Sequence, residues 1–351
     1  MIYKIWQAYH NLPFFQEQKL FMSSSKINRR FCVAPMLDWT DRHERFFLRL
    51  MSKHALLYTE MVTTGALIHG DKDRYLHFNK EEHPVALQLG GSAPEAMAIC
   101  AKMAEDYGYD EVNINVGCPS DRVQNGAFGA CLMAEPELVA ENVSAMRNAV
   151  DIPVTVKNRI AIDEMDEYKC LLDFLEKVSE AGCKTFIIHA RKAWLKGLSP
   201  KQNRDVPPLN YDLVYQMKRD FPELEIIING GIKTLDESVE HLKQVDGVMI
   251  GREVYYNPFL MNQVDQEIYG KAQNEASAFD VLEQYMEYMQ KQMEQGVYLK
   301  HMSRHLLGLF IGQAGAKAWR RHISENAHKK GAGIEVIKEA VSHIATPADH
   351  T

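Results

Sequence analysis

The chain repeats one pattern eight times: a short apolar, β-branched run ending in a polar residue or a glycine, then a stretch with helical spacing. The runs are Phe31–Ala34, Leu56–Glu60, Pro84–Leu89, Glu111–Asn115, Pro153–Asn158, Thr185–His189, Glu225–Asn229 and Gly247–Ile250. They read as parallel strands buried on both faces. Helices are expected between them over Asp41–Met51, Pro94–Tyr107, Pro136–Asn148, Glu167–Glu180, Tyr211–Arg219 and Leu235–Lys243, several after helix-start signals such as Thr234-Leu-Asp-Glu. Eight such units over roughly 225 residues match the count and size of an α/β fold of the (β/α)8 TIM-barrel type. A doubly wound open sheet would want a glycine fingerprint in its first βα turn. That turn reads Ala34-Pro-Met-Leu-Asp-Trp-Thr and holds no glycine. The barrel is the better solution.

After Pro258 the alternation stops. Ser277–Gln295, Leu299–Gln313, Ala316–Asn326 and Ile334–Ile344 read as helices separated by glycines. The organisation expected is an N-terminal extension over 1–27, a barrel over 28–263, a linker over 264–276 and an all-helical domain over 277–351. Residues 1–21 are too polar for a signal peptide, and Met22 is a candidate start. With 46% hydrophobic and 25% charged residues, intrinsic disorder and fibrous repeats are excluded. No run of apolar residues is long enough to span a membrane. Six cysteines without paired spacing favour free thiols and a cytoplasmic setting over disulfides or zinc. Five of them, all but Cys118, are expected to be small core residues.

The formal charge of -7 hides an asymmetry. Between Gly296 and Lys330 the cations are Lys300, Arg304, Lys317, Arg320, Arg321, Lys329 and Lys330 against one acid, Glu325, a net +6 that leaves -13 elsewhere. Lys317, Arg320 and Arg321 stand at i, i+3 and i+4 and share a helix face. The reading is either an anionic partner for this part of the chain or a solvated helix face, and the near absence of acids speaks for the partner.

In such a barrel the working residues lie at the C-terminal ends of strands. Those positions hold Pro35-Met36-Leu37, Gln88-Leu-Gly-Gly, Asn113-Ile-Asn115-Val-Gly-Cys118-Pro, Lys157-Asn-Arg159, His189-Ala-Arg191, Asn229-Gly230-Gly231 and Gly251-Arg252. Glycine motifs after the seventh and eighth strands, with Arg252, match the usual barrel phosphate site. Lys157 admits two chemistries: a Schiff base, or a cation beside the negative edge of a reduced flavin. Gln88 and His189, able to bond a pyrimidine-like ring edge, favour the flavin. Cys118 is a nucleophile or a neutral proton donor, and a hydride donor opposite it would favour donation.

Together these motifs resemble the tRNA-dihydrouridine synthases: Ala34-Pro-Met-Leu-Asp-Trp-Thr-Asp, Gln88-Leu-Gly-Gly, Asn113-Ile-Asn-Val-Gly-Cys-Pro-Ser, Val156-Lys-Asn-Arg, Ile187-Ile-His-Ala-Arg and Asn229-Gly-Gly-Ile. The likeness runs from about Phe31 into the C-terminal helices. Asp121-Arg-Val-Gln and Lys201-Gln-Asn-Arg204 look like the A-type bacterial members, which act on uridines 20 and 20a of the tRNA D-loop. The resemblance implies bound FMN and NADPH as reductant. It implies that Pro35, Met36, Leu37, Gln88, Lys157 and His189 contact the flavin, and that Asn229, Gly230, Gly231, Gly251 and Arg252 hold its phosphate. Cys118 corresponds to the general acid, and Asn115, Lys201, Arg204, Lys317 and Arg320 to tRNA-contacting positions. No obligate protein partner is expected. The rivals are a flavin barrel acting on a free pyrimidine, as in dihydroorotate-type enzymes, an RNA-binding folding aid, and a Schiff-base aldolase.

Overall fold

A computed structural model describes residues 27–120 and 127–345. Residues 1–26 of the stretch read as an extension, the Asp121-Arg-Val-Gln motif and the last six residues of the chain lie outside the described residues. Eight parallel strands close on themselves in chain order: β1 Phe31–Val33, β2 Leu56–Thr63, β3 Val85–Gly90, β4 Glu111–Val116, β5 Val154–Arg159, β6 Thr185–His189, β7 Glu225–Asn229 and β8 Gly247–Ile250. The alternation of side chains along each strand sorts the apolar residues into two separate clusters. Val33, Leu57, Leu87, Ile114, Val156, Ile188, Ile228 and Val248 belong to the large cluster that packs beneath the surrounding helices. Cys32, Leu56, Tyr58, Ala86, Ile187, Ile227 and Met249 fill the barrel interior. The strands look continuously apolar because both faces are buried, which is why a closed parallel sheet is the stable answer.

The crossovers include α1 Arg42–Arg49, α2 Pro94–Asp106, α3 Pro136–Arg147, α4 Glu167–Glu180, α5 Tyr211–Asp220 and α6 Leu235–His241. Thr234 starts α6 with its hydroxyl on the Glu237 N–H, and the Glu237 carboxylate returns to the Thr234 N–H. Strand β2 runs to Thr63 rather than stopping at Glu60. A register shift between Tyr58 and Met61 carries the pairing past the charged residue.

Beyond the barrel follow α7 Ala278–Glu294, α8 Leu299–Ser303, α9 Ala316–Asn326 and α10 Glu335–Val341. The single helix expected over Leu299–Gln313 breaks after Ser303 into a tighter turn, Arg304–Gly308. A Cβ at Gly308 would run into the Tyr256 carbonyl, so this turn is pressed against the barrel wall and follows its surface. Trp319 of α9 is fully buried and donates its indole N–H to the Leu306 carbonyl at 3.1 Å. Truncating it to alanine would cost about 3–5 kcal/mol.

These helices sit on α1. Phe46 stacks on Tyr288 with ring centroids 3.9 Å apart, His43 Nδ1 lies 2.7 Å from the Tyr288 hydroxyl, and Arg42 donates to Gln292 Oε1 at 2.9 Å. The segment expected as a linker opens with a helical turn, Val264–Glu267, and is pinned to the barrel. Asp265 accepts from Ser52 Oγ and the Lys53 N–H, and Asn274 donates to the Leu50 and Met51 carbonyls.

Candidate active site

The inner face of the barrel changes character along its axis. At the floor Arg29 inserts between two carboxylates, Nε to Glu111 Oε2 at 2.7 Å and Nη1 to Glu225 Oε2 at 2.9 Å. Burial alone would lower the Arg29 pKa, but Glu111 and then Glu225 raise it and keep the guanidinium charged. Glu111 also accepts from the Tyr58 hydroxyl and from Thr155 Oγ1, both at 2.6 Å. From Thr155 a file of buried polar side chains climbs toward the mouth. Asn113 Nδ2 donates to Thr155 Oγ1, Gln88 Nε2 to Asn113 Oδ1, and Asn115 Nδ2 to Gln88 Oε1, each at 2.8 Å.

At the top of β4 the file meets the cysteine turn. Asn115 Oδ1 accepts the N–H groups of Gly117 at 3.1 Å and Cys118 at 3.0 Å. Arg159 Nε holds the Gly117 carbonyl at 3.0 Å, and the Cys118 carbonyl accepts the Ala130 N–H at 2.9 Å. The peptide carrying the thiol is thus held on both edges. Cys118 itself is half-buried, with Sγ 3.5 Å from Ser120 Oγ. All six cysteines are free, and four are buried as expected. Cys131 is the exception to the expected core role: it is partly exposed, because it sits in a turn over Gly129–Ala134.

Lys157 is the register partner of Asn115 and donates to Asn229 Oδ1 at 2.9 Å. Burial, then the neighbouring Arg159, lower its pKa to about 7. Arg159 is lowered to about 10, mainly by burial. His189 is pushed well below its ordinary value by burial and by Arg159, Lys157, Arg191 and Arg252. Burial and Arg252 also lower Arg204. These cations crowd one mouth, and the carboxylate paired there is Asp205, 2.7 Å from Arg252. Sequence reasoning placed Arg159 and Arg191 on the rim but gave them no role. Here they set the potential.

The loops deliver the other expected residues to the same end. Pro35 and Met36 are half-buried and Leu37 is 65% exposed, in a turn where Asp38 takes a left-handed φ of 64°. Gly230 and Gly231 have φ of 119° and 74°. A Cβ on Gly230 would lie 2.7 Å from the His189 ring, and one on Gly231 would lie 2.9 Å from the Tyr211 hydroxyl. A Cβ at Gly251 would make ordinary contacts with Ala34 and Met36. Asn229 binds inward, Nδ2 to the Met249 carbonyl and Oδ1 to Lys157. Lys201 and Arg204 are exposed on the loop after β6, which folds back through Asn203 and the Arg159–Asn203 carbonyl bond at 2.9 Å. Lys317, Arg320 and Arg321 are all exposed on α9, one face of positive charge opposite the buried Trp319 and Ile323. Arg304 departs from the free basic surface expected of its segment. It pairs with Asp41 at 2.6 Å. Sequence reasoning also passed over an aromatic group at the rim, Trp39 stacked 4.3 Å from Tyr255 with Tyr256 edge-on at 5.3 Å. Its one signal was the aromatic pair directly following Gly251-Arg252-Glu-Val.

The dihydrouridine synthase family model matches residues 32–345. The chain belongs to the dihydrouridine synthase family. Its similarity to individual members is high over nearly the whole length. It is 61% identical to the tRNA-dihydrouridine(20/20a) synthase of Shewanella oneidensis over 92% of this chain and 96% of that one. The enzyme of the same name from Vibrio vulnificus is 61% identical over 91% and 98%, and that of Escherichia coli strain K12 is 61% identical over 90% and 92%. Among solved structures, a 2-naphthoyl-CoA reductase complex superposes with a TM-score of 0.53 at 12% identity, covering 68% of this chain and 50% of that one. That likeness concerns the fold. Among the described residues, no helix is long and apolar enough to cross a membrane.

Proposed function

We propose that this chain reduces uridine to 5,6-dihydrouridine in the D-loop of tRNA at positions 20 and 20a, with bound FMN and with NADPH as electron donor. The observation that carries the reading is the mouth itself: a partly exposed thiol on a clamped turn, at the same mouth as Lys157, Arg159, Arg191, Arg204 and Arg252, where burial and then neighbouring cations lower the pKa values of Lys157, Arg159, Arg191 and Arg204. Cations assembled at such a cost favour an anionic ligand.

The residues present fit FMN. Gly230 and Gly231, where contact with His189, Leu209 and Tyr211 leaves no room for a side chain, lie at the same end of the barrel as Gly251 and Arg252, and this is where a barrel receives a phosphate. Asn229 serves that site through Lys157 and the β8 carbonyl it holds. Gln88, Lys157 and His189 would bond the flavin ring, with Pro35, Met36 and Leu37 packed along it. When bound, FMN reduced by NADPH supplies a hydride to C6 of uracil. Cys118 delivers its proton to C5, and the thiolate left behind recovers a proton from solvent. Asn115 holds the Cys118 turn at the point where the base enters.

Lys201 and Arg204 flank the mouth, and Lys317 and Arg320 offer a second phosphate-binding face, so affinity should fall steeply with salt. The target base must leave its stack, at roughly a few kcal/mol, less in a loop. A barrel over 28–263 carrying the chemistry and helices over 277–351 carrying the tRNA is the division of labour we propose, in the cytoplasm. A flavin barrel acting on a free pyrimidine would have no use for the exposed cations of α9. The decisive test is Cys118→Ala. The yellow protein should keep its FMN and its reduction by NADPH, while uridine reduction falls by about 100-fold or more. Full turnover by this variant would refute the acid, and a colourless wild-type protein would refute the flavin.

A further inference from the structure

The hydrogen-bond file inside the barrel has two ends of fixed polarity. Its lower end is Glu111, a carboxylate ion-paired with Arg29 and able only to accept. Its upper end is the pair of backbone N–H groups at Gly117 and Cys118, able only to donate. Every group between can point either way in isolation. A threonine hydroxyl rotates, and the amide of asparagine or glutamine can be turned over.

The lower end removes that freedom link by link. Thr155 has one hydroxyl proton, and it is held by Glu111 Oε1 at 2.6 Å. Thr155 Oγ1 can therefore only accept from its other neighbour, so Asn113 must face it with Nδ2 and face Gln88 with Oδ1. Gln88 must then donate from Nε2 and turn Oε1 toward Asn115. Asn115 must donate from Nδ2, which turns Oδ1 to the cysteine turn. Starting from the upper end, the two N–H donors demand the same orientation of Asn115. Both ends impose one direction, and no link is frustrated.

We infer that Glu111 and Thr155 are positioning residues for the Cys118 turn: the ion-paired carboxylate sets the donor direction of a file running through Thr155, Asn113, Gln88 and Asn115 to the Gly117 and Cys118 N–H groups. Glu111, Thr155 and Asn113 are fully buried. Hydrogen bonds shut off from bulk solvent in this way are strengthened by their low-dielectric surroundings, which makes the direction hard to scramble. The role assigned to the turn rests on the proposed acid function of Cys118, while the direction of the file does not.

The variant that isolates the hydroxyl is Thr155→Val, of nearly the same shape, with Thr155→Ser as its partner. In purified full-length protein, the rate of Cys118 alkylation by iodoacetamide is followed from pH 6 to 10 and read at its own peptide by mass spectrometry. In the valine variant Asn113 Nδ2 loses its acceptor, the direction of the file is held from the upper end alone, and the Asn115 amide that clamps the turn is less firmly set. The Cys118 alkylation profile should move, and kcat for uridine reduction should fall roughly 10- to 100-fold with KM for tRNA unchanged. Serine should restore both. An unchanged profile in the valine variant, or a serine variant as impaired as the valine one, would overturn the inference. Wild-type protein gives a check independent of variant folding. A neutron structure should place the Thr155 hydroxyl deuteron toward Glu111 and a deuteron of Asn113 Nδ2 toward Thr155, and a deuteron on Thr155 pointing at Asn113 would overturn it. If instead Cys118→Ala keeps full uridine reduction while Thr155→Val still moves the alkylation profile, the acid role fails and the positioning stands.

Discussion

The seat of the C-terminal helices on the barrel should titrate, and His305 is the group that decides how. Its ring is fully buried, with Nε2 3.1 Å from Asp41 Oδ1 and Nδ1 3.0 Å from Glu44 Oε2. Tyr255 lies edge-on at 5.8 Å, and the neighbouring Arg304 pairs with Asp41. Burial would lower the pKa of His305, but Asp41 and then Glu44 raise it from 6.5 to about 9. A group raised in the folded state contributes its full stabilisation below its unfolded pKa and loses it as pH climbs through the folded value. Each tenfold change in proton affinity is about 1.4 kcal/mol, so the contribution is roughly 3 kcal/mol below pH 6.5 and fades by pH 9.5.

The reference is the double variant Glu44→Gln with His305→Gln, which removes the histidine and the more deeply buried of its two carboxylate partners. Urea unfolding of the two proteins, followed by circular dichroism at steps of pH, gives the difference. It should shrink by roughly 3 kcal/mol between pH 6.5 and 9.5. A difference that stays level across that window would refute the account of a charged, carboxylate-clamped histidine. On the acid side the sign reverses. His43, on the same helix, is lowered to about 4, first by burial, so its contribution is present above 6.5 and lost as pH falls toward 4. The Asp41 carboxyl, held far below its ordinary value chiefly by His305 against the cost of burial, loses its contribution only in stronger acid. The two histidines taken alone are therefore best served near pH 6.5, while Glu44, raised chiefly by burial, favours the acid side.

Two further outcomes test the mouth and the basic face. Lys317→Glu with Arg320→Glu should weaken tRNA binding at least tenfold and flatten the slope of log affinity against log salt by about 2, with kcat at saturating tRNA unchanged; equal affinity at moderate salt would refute the patch. Gly230→Ala places a methyl 2.7 Å from His189 at a φ of 119°. It should cost about 1–3 kcal/mol in urea unfolding and reduce the flavin absorbance of the purified protein, and a variant unchanged in both would show that close approach is not required there.

The fold was legible because burial on both faces leaves a mark that needs no long-range information: each strand is a short apolar run with a polar end. Pro94, Pro136 and Thr234 marked helix starts by local chemistry, and the helices begin there. What escaped is what local pattern does not encode. Nothing in the run Leu299–Gln313 says that Gly308 must lie against Tyr256, so the break after Ser303 belongs to tertiary contact. Arg304 and His305 look like a basic stretch until α1 brings Asp41 and Glu44 to them, across more than two hundred and fifty residues. For the same reason the face of α9 was readable, since i, i+3 and i+4 spacing is a local fact.

The two ends of the barrel interior differ in a way that bears on why the mouth is built as it is. At the floor, Arg29 meets Glu111 and Glu225 within 2.9 Å, and the cation is paired inside the protein. Such a pair contributes little to net stability but would cost about 3–5 kcal/mol if one partner were removed. At the mouth stand Lys157, Arg159, Arg191, Arg204 and Arg252, with Asp205 paired to Arg252, and Lys157, Arg159, Arg191 and Arg204 are lowered in pKa by burial and by neighbouring cations. A fold selected for stability alone would have placed carboxylates here as it did below. Leaving the charge uncompensated makes sense if an anion completes the site. Lys157 is the sensitive gauge of this argument: at about 7 it stands divided between its two forms near neutral pH, and a phosphate or an anionic ring beside it would drive it to the charged one.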